Sequence, residues 1–298
     1  MSLRIDNEWG TLKRVIVGHG HNMGVPATLD TAFDPTSYTH IQAGTYPSHT
    51  QVSLQLEGLA STLQRHGVEV LRPLDQPELE QVFARDVGMV IEDRFYRSVM
   101  IEDRQAEWSG IGPLLNSEEV RLIPDGVRME GGDVLVLDGA LAVGVTRHPD
   151  WTGLQTARTN AAALDFLQAE FPHREVMGLE LHKHDRDPLK SALHLDCAFM
   201  PLGRGEAIVC RDAFIDAGQL QRLTDRFTDI LEIDLLEAAM LQSNLLHLDP
   251  DTLLIDPQFS RLAHLLQDRG YRLLEVPMHD VGKMGGLFRC TTLPLLRH

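Results

Sequence analysis

The chain has little that would suit it to the outside of a cell or to a polyanion. Three cysteines, Cys197, Cys210 and Cys290, in 298 residues are too few for a disulfide framework. They fit a reducing cytoplasm instead. Basic charge is also short, with 27 Lys and Arg against 43 Asp and Glu and a formal net charge of −16. Nucleic acid and anionic membrane are both bound through clustered Lys and Arg, so neither is expected as a partner. A small cationic partner suits the sign. No apolar run reaches the roughly 18 residues of a membrane span, and the opening MSLRIDNEWG has no apolar stretch behind its arginine, so no signal peptide is expected. Pro/Ser/Gly tracts, charge blocks and low-complexity runs are missing too, which leaves no visible linker.

At 43% hydrophobic and 23% charged, the composition is that of a soluble globular protein with a large core. Short apolar runs alternate with amphipathic ones. The pattern predicts strands at 12–18, 68–71, 87–91, 94–100, 120–123, 134–137, 140–145 and 175–181, then at 197–202, 207–210, 230–233, 252–255 and 271–276. Helices are predicted at 51–66, 151–171, 217–227 and 257–269. Asp138-Gly139 and Gly203-Arg204-Gly205 sit between apolar runs and signal hairpins, as does Glu92-Asp93. Two strands, a helix and another strand recur about five times without residue-level identity, ending on a hairpin at Cys290. That alternation predicts an α/β fold. The irregular stretch 19–50 is too long for a simple connection and reads as a functional loop or lid.

Reactive side chains concentrate in four stretches: Arg85-Asp86, Glu130-Gly131-Gly132-Asp133, His194-Leu195-Asp196, and Cys290 behind the glycine pair Gly285-Gly286. Each has a plain structural alternative. Arg85-Asp86 reads as a surface ion pair, EGGD as a turn whose glycines supply positive φ, His194 as a structural histidine, and Cys290 as a small buried hydrophobe. Their joint presence at the starts of strand units favours an enzyme with Cys290 as nucleophile. His19/His21 and His182/His184 have the i, i+2 spacing of metal ligands, but no Cys-rich or HExxH pattern supports them. No metal or other cofactor is expected. Cys197 and Cys210 read as buried apolar positions.

FARDVGMV, MEGGDVLVL, HLDCAFMPLG and GGLFRCTTLPLLR, together with NEWGTLKRVIVG near the start, resemble the signatures of the guanidino-modifying enzymes. That superfamily holds arginine deiminases, dimethylarginine dimethylaminohydrolases and amidinotransferases. The resemblance covers essentially the whole chain. It implies a pentein fold, an α/β propeller of five pseudo-repeats around a central active site, as a single catalytic domain over residues 1–298. It also implies that Cys290 attacks the guanidino carbon to form a thiouronium. His194 and Glu130 would carry protons, while Asp86 and Asp196 would grip the guanidinium. The chemistry agrees: a planar guanidinium presents five N–H donors that carboxylates match bidentately. Its attack needs a thiolate that a free cysteine supplies poorly at neutral pH.

The Asp of HLD resembles the deiminases and transferases, and a second carboxylate suits unsubstituted nitrogens better than methylated ones. L-Arginine or a related guanidino compound is therefore expected over methylarginine. At the substrate's far end, the resemblance places Arg104 near a carboxylate-binding arginine, with Arg97 competing. A second such arginine is replaced by His148, with Arg147 just before it. Hydrolysis, giving a citrulline-like product or an ornithine-like one if both C–N bonds break, is favoured over amidino transfer to an amine, because water is always available. A homo-oligomer is left open.

Overall fold

The structure, a computed structural model, describes residues 2–298. β1 (Leu12–Val17) and β2 (Glu69–Leu71) open the chain. Next come β3 (Gly88–Ile91), β4 (Arg94–Arg97) and β5 (Val120–Leu122), then β6 (Val134–Leu137), β7 (Ala140–Val145) and β8 (Glu175–Glu180). The chain continues through β9 (Phe199–Leu202), β10 (Glu206–Val209) and β11 (Asp229–Glu232). It ends with β12 (Leu246–Asp249), β13 (Thr252–Ile255), β14 (Arg272–Glu275) and β15 (Thr292–Arg297).

These strands form five three-stranded sheets. In β3-β4-β5, β6-β7-β8, β9-β10-β11 and β12-β13-β14, an antiparallel hairpin is joined by a third strand parallel to its second. A parallel neighbour needs a crossover. Helices supply it at Ala162–Glu170, Ala217–Thr224 and Ser260–Asp268 in the last three of these. The crossover from β4 to β5 runs through short turns around Trp108–Ile111, and His49–Arg65 links β1 to β2. The remaining sheet repeats the pattern from distant parts of the chain, with β15 antiparallel and β2 parallel to β1. The hairpin turns carry the residues their backbone demands: Gly139 at φ +69°, and Arg204-Gly205 at +66° and +75°.

Sequence and structure part company in three places. Residues 151–161 are turns, and the helix predicted from 151 begins only at Ala162; the polar run TGLQTARTN supplies backbone and side-chain bonds to Asp185 instead. β12 has no counterpart among the predicted strands; its four residues, with His247 and Asp249 among them, pair with β13 as a hairpin. Cys290 does not start a local hairpin either; the strand after it pairs with β1. The irregular stretch contains the helix Pro35–Gln42, whose Asp34 accepts from the backbone N–H groups of Thr36 and Ser37 and is followed by Pro35 at the first helical position.

A single buried arginine ties the units together. Arg289 donates to both oxygens of Glu8, to Asp196 Oδ2 and to the carbonyls of Gly131, Gly132 and Val134. Glu8 also accepts from the Val136 N–H. Burial works to raise the Glu8 carboxyl, but Arg289, aided by Arg85, outweighs it and holds it down at about 2. Replacing Arg289 by Met leaves two buried carboxylates without their cation. The expected loss is about 3–5 kcal/mol of unfolding free energy, read from the urea midpoint. A midpoint within error of wild type would show that Arg289 is not a hub.

Candidate active site

The glycines of EGGD work by leaving room rather than by unusual dihedrals. Neither Gly131 nor Gly132 has positive φ. A Cβ on Gly131 would collide with the Arg85 carbonyl, and one on Gly132 with the His194 ring and Asp86. The three motif stretches can therefore converge. Asp86 comes from a short helix before β3, Glu130 and His194 from the residues just before β6 and β9, and Cys290 from just before β15.

Their side chains form one buried chain of alternating charge. His194 Nε2 lies 2.9 Å from Glu130 Oε2, and its Nδ1 lies 3.6 Å from Asp86 Oδ1. Arg158 donates to Glu130 at 3.0 Å. Arg104 donates to Asp86 at 2.7 Å and, as a fork, to both oxygens of Glu107. Asp86 Oδ1 and His194 Nδ1 are buried and have no hydrogen-bond partner among the described residues. Asp86, Arg104, Arg158, His194 and Cys290 line a narrow cavity with Phe33, Asp34, Tyr46, Glu80 and Phe83. Through Ala27, Thr31, Phe33, Tyr46 and Glu80 it continues into a vestibule of about 660 Å³, a size that suits a small molecule. The long stretch after β1 thus forms one wall of the entrance.

Cys290 is held from behind. Asn244 donates from Nδ2 to Cys290 Sγ at 3.2 Å and accepts at Oδ1 from the backbone N–H groups of Leu287 and Cys290. Asp196 sits 3.8–3.9 Å from the same sulfur, with Oδ2 bound by Arg289. It is not among the residues lining the cavity. Three carboxylate residues, Asp34, Glu80 and Asp86, line the cavity beside Cys290. His148 lies apart, exposed, its ring against Trp151 at 4.8 Å and 3.9 Å from Asp150. Arg158, which sequence reasoning missed, supplies the second basic group of the cavity. It had no motif to mark it, and neither did Asn244 or Glu80. Arg97 stacks over Trp108 away from the cavity.

Two groups of three potential metal ligands occur among the described residues, Asp86/Glu130/His194 and Asp196/Cys197/Cys290. Each has an arginine already on a carboxylate, a positive neighbour that opposes a second cation. The His19/His21 and His182/His184 pairs form no such group among the described residues.

Electrostatics set the resting protonation states. Burial opposes a charge on His194, but Asp86 and Asp133, with bonds to Cys290 and Glu130, outweigh it and raise its pKa well above the usual value. Burial would raise Glu130; Arg158 and His194 reverse this and leave it lowered. The Cys290 thiol is pushed well up by its contact with Cys197, by burial and by Asp196, against the pull of His194. At rest the site therefore holds an imidazolium, a carboxylate and a neutral thiol.

Comparison with known proteins places the chain in a family. The family model described as N,N dimethylarginine dimethylhydrolase, eukaryotic, matches residues 45–297. The chain belongs to this family. It is thereby a member of the guanidino-modifying pentein superfamily. The matching model is that of the branch from which Asp196 separates the chain on sequence grounds, so the aspartate alone does not sort the branches. The uncharacterized protein YkgA of Bacillus subtilis (strain 168) is 30% identical over 97% of this chain and 94% of its own. Inosamine-phosphate amidinotransferase 1 of Streptomyces griseus is 24% identical over 98% and 96%. The fold matches SxtG, an amidinotransferase of Microseira wollei, at TM-score 0.78 and 19% identity over 99% of this chain and 97% of that one. It matches the N-terminal domain of ArgZ, an arginine dihydrolase of Cyanobacteria, at TM-score 0.77 and 20% identity over 95% and 98%.

Two outcomes follow for this site. Asn244→Ala removes a donor to the sulfur, an interaction of about 1.5–3 kcal/mol when the acceptor is charged. Iodoacetamide alkylation of Cys290 at pH 8 should slow by at least about tenfold; an unchanged rate would mean that Asn244 does not stabilise the thiolate. Because the folded pKa of His194 is raised, its stabilisation is complete below about pH 6.5 and is lost as pH rises through the folded value. In a Cys290→Ser background, the melting temperature should fall from pH 7 to pH 10 more steeply with His194 present than with His194→Gln. Parallel curves would contradict a charged His194.

Proposed function

We propose that the protein is a cysteine-dependent hydrolase of the guanidino group, acting on L-arginine or a related guanidino compound through a Cys290 thiouronium. The observation that carries this reading is that Asp86 and His194 line one cavity with Cys290, while Asp86 Oδ1 and His194 Nδ1, 3.6 Å apart, have no hydrogen-bond partner among the described residues. An open carboxylate oxygen is what a guanidinium N–H requires. A charged imidazole beside the nucleophile is what a departing amine requires.

In this reading the cation binds against Asp86 and lowers the thiol pKa, so Cys290 gives up its proton, to solvent, only when substrate is present. The sulfur attacks the guanidino carbon. His194, held by Glu130, protonates the departing nitrogen, which leaves as ammonia. The now neutral His194 takes a proton from water as the water oxygen bonds to the same carbon. Collapse of that adduct breaks the C–S bond and returns the thiolate. Arg104 and Arg158 hold their carboxylate partners in place, and each keeps an N–H to offer to a substrate's acidic tail. Glu80, pushed up to about 7 by its low-dielectric surroundings and by Glu107, faces a cationic group at that end.

The five sheets, with β1 and β15 pairing distant parts of the chain, support one closed propeller as a single catalytic domain over residues 1–298. No helix among the described residues is long and apolar enough to cross a membrane, and all three cysteines are free, which supports the cytoplasm. Amidino transfer is the second reading, favoured by the similarity to named amidinotransferases over nearly the whole chain.

Mass spectrometry of the protein with L-arginine or dimethylarginine, with and without glycine, tests both. Cys290 should carry a transient adduct that decays to a ureido or ornithine-like product plus ammonia (or amine), and Cys290→Ala should form none. Turnover that requires the added amine would establish transfer instead. Turnover surviving in Cys290→Ala would overturn the mechanism.

A further inference from the structure

The residue after the HLD motif has a position that buried-apolar packing does not account for. Cys197 Sγ lies 3.5 Å from Asp196 Oδ1, and Cys290 Sγ lies 3.9 Å from the same oxygen. The two sulfurs are within 4.8 Å of one another, although 92 residues intervene between them in the chain. A disulfide needs about 2.05 Å between sulfurs. Rotation of a cysteine between staggered χ1 wells moves its sulfur by about 3 Å, so the gap is on the scale of a side-chain turn. Cys210, just after β10, is free and buried; its backbone N–H donates to the Ala198 carbonyl, but its sulfur is not part of the Asp196/Cys197/Cys290 group.

The two thiols also border different spaces. Cys290 lines the narrow substrate cavity. Cys197 lines a second cavity of about 390 Å³, with Trp151, His182, Lys183, Leu235 and Ala238 around it. Small reagents therefore have an approach to the pair from either side. A metal ion is the poorer occupant of this cluster, since Arg289 already donates to Asp196.

We propose that Cys197 is a resolving thiol that captures Cys290 in a reversible Cys197–Cys290 disulfide when a hydroperoxide enters the site. The Cys290 sulfur, having lost its proton, attacks one peroxide oxygen. The O–O bond breaks, and the departing oxygen takes up that proton as water (or as an alcohol, for an organic hydroperoxide). Cys290 is then a sulfenic acid. Cys197, losing its proton in turn, attacks the Cys290 sulfur; the S–S bond forms, the S–O bond breaks, and hydroxide leaves with that proton as water. With hydrogen peroxide the sum is two thiols and one peroxide giving one disulfide and two waters.

The bond withdraws the nucleophile from the cavity and shields it from further oxidation, and a dithiol restores both thiols. Placing Cys290 at the substrate cavity rests on the reading above, but no particular guanidine is required. A peptide map reads the bond without reference to turnover.

The test treats the full chain with hydrogen peroxide, blocks free thiols with N-ethylmaleimide at low pH, and maps the peptides. Wild type should yield a cross-linked peptide joining Cys197 to Cys290, lighter by two hydrogens than the separate thiol peptides. Thiol reactivity of Cys290 should return at least tenfold on adding dithiothreitol. In Cys197→Ala, and in the near-isosteric Cys197→Ser, excess peroxide should carry Cys290 to the sulfinic acid, with little recovery. Oxidised Cys290 beside a free Cys197 in wild type, pairing through Cys210, or equal recovery in the Cys197 variants would overturn the proposal. A cross-link without turnover of any guanidine would leave it standing and count against the hydrolase reading alone.

Discussion

Arg289 is the interaction on which the geometry depends. It precedes the nucleophile in sequence, and its guanidinium reaches the start of the chain through Glu8, the EGGD stretch through three carbonyls and the HLD stretch through Asp196. Carbonyl oxygens pointing at a common centre repel one another and would splay in the absence of a cation. A guanidinium supplies five donors in one plane, and here they are spread over partners from separate parts of the chain. The sulfur of Cys290 is therefore placed by the same residue that draws the other motif stretches together. Buried ion pairs are weak evidence for stability in general. In this molecule the arrangement fixes which backbone segments face one another, and so sets the position of the reacting atoms.

Around that anchor the titratable groups alternate in sign: Glu107, Arg104, Asp86, His194, Glu130, Arg158. A row of this kind can be buried because each charge has an opposite neighbour within contact distance. The row ends at Glu107 on one side and at Arg158 on the other. In its middle Asp86 Oδ1 and His194 Nδ1 lie 3.6 Å apart and have no hydrogen-bond partner among the described residues. Unmet polar atoms in a buried network cost free energy, and here they lie beside the nucleophile rather than scattered through the core.

Much of this was legible in the sequence, though unevenly. The motif stretches, the order of Asp86, Glu130, His194 and Cys290, and the repeated strand pattern were readable because each unit has a short apolar run and a turn residue to mark it. The groups that position them were not. Arg158 lies in a polar run with no periodicity, and Asn244 follows a short helix in an unmarked loop. Arg289 stands within a motif, but its bonds are not foreseeable there, since a buried arginine is defined by partners far away in the chain. His148, placed at the substrate's far end by the resemblance, does not line the cavity, whereas the turns at 151–161 bring Arg158 to its wall. Cys197 looked like filler because alternation along a strand says which face a residue takes, not which functional group lies across it.

The resting thiol explains why such a buried arrangement suits a cationic substrate. Cys197, burial and Asp196 all press Cys290 toward its neutral form, so the empty site holds a poor nucleophile. A guanidinium placed against Asp86 adds a full positive charge beside the sulfur, in surroundings where charges are weakly screened. It thereby lowers the cost of the thiolate that will attack it. A neutral molecule of the same shape would bring no such help, so discrimination by charge is built into the ionisation step as well as into binding. The same logic separates the two fates of the sulfur. In the proposed mechanism a filled cavity presents the guanidino carbon to the developing thiolate; in an empty one the thiol stays protonated, and the few molecules that ionise have Cys197 close by.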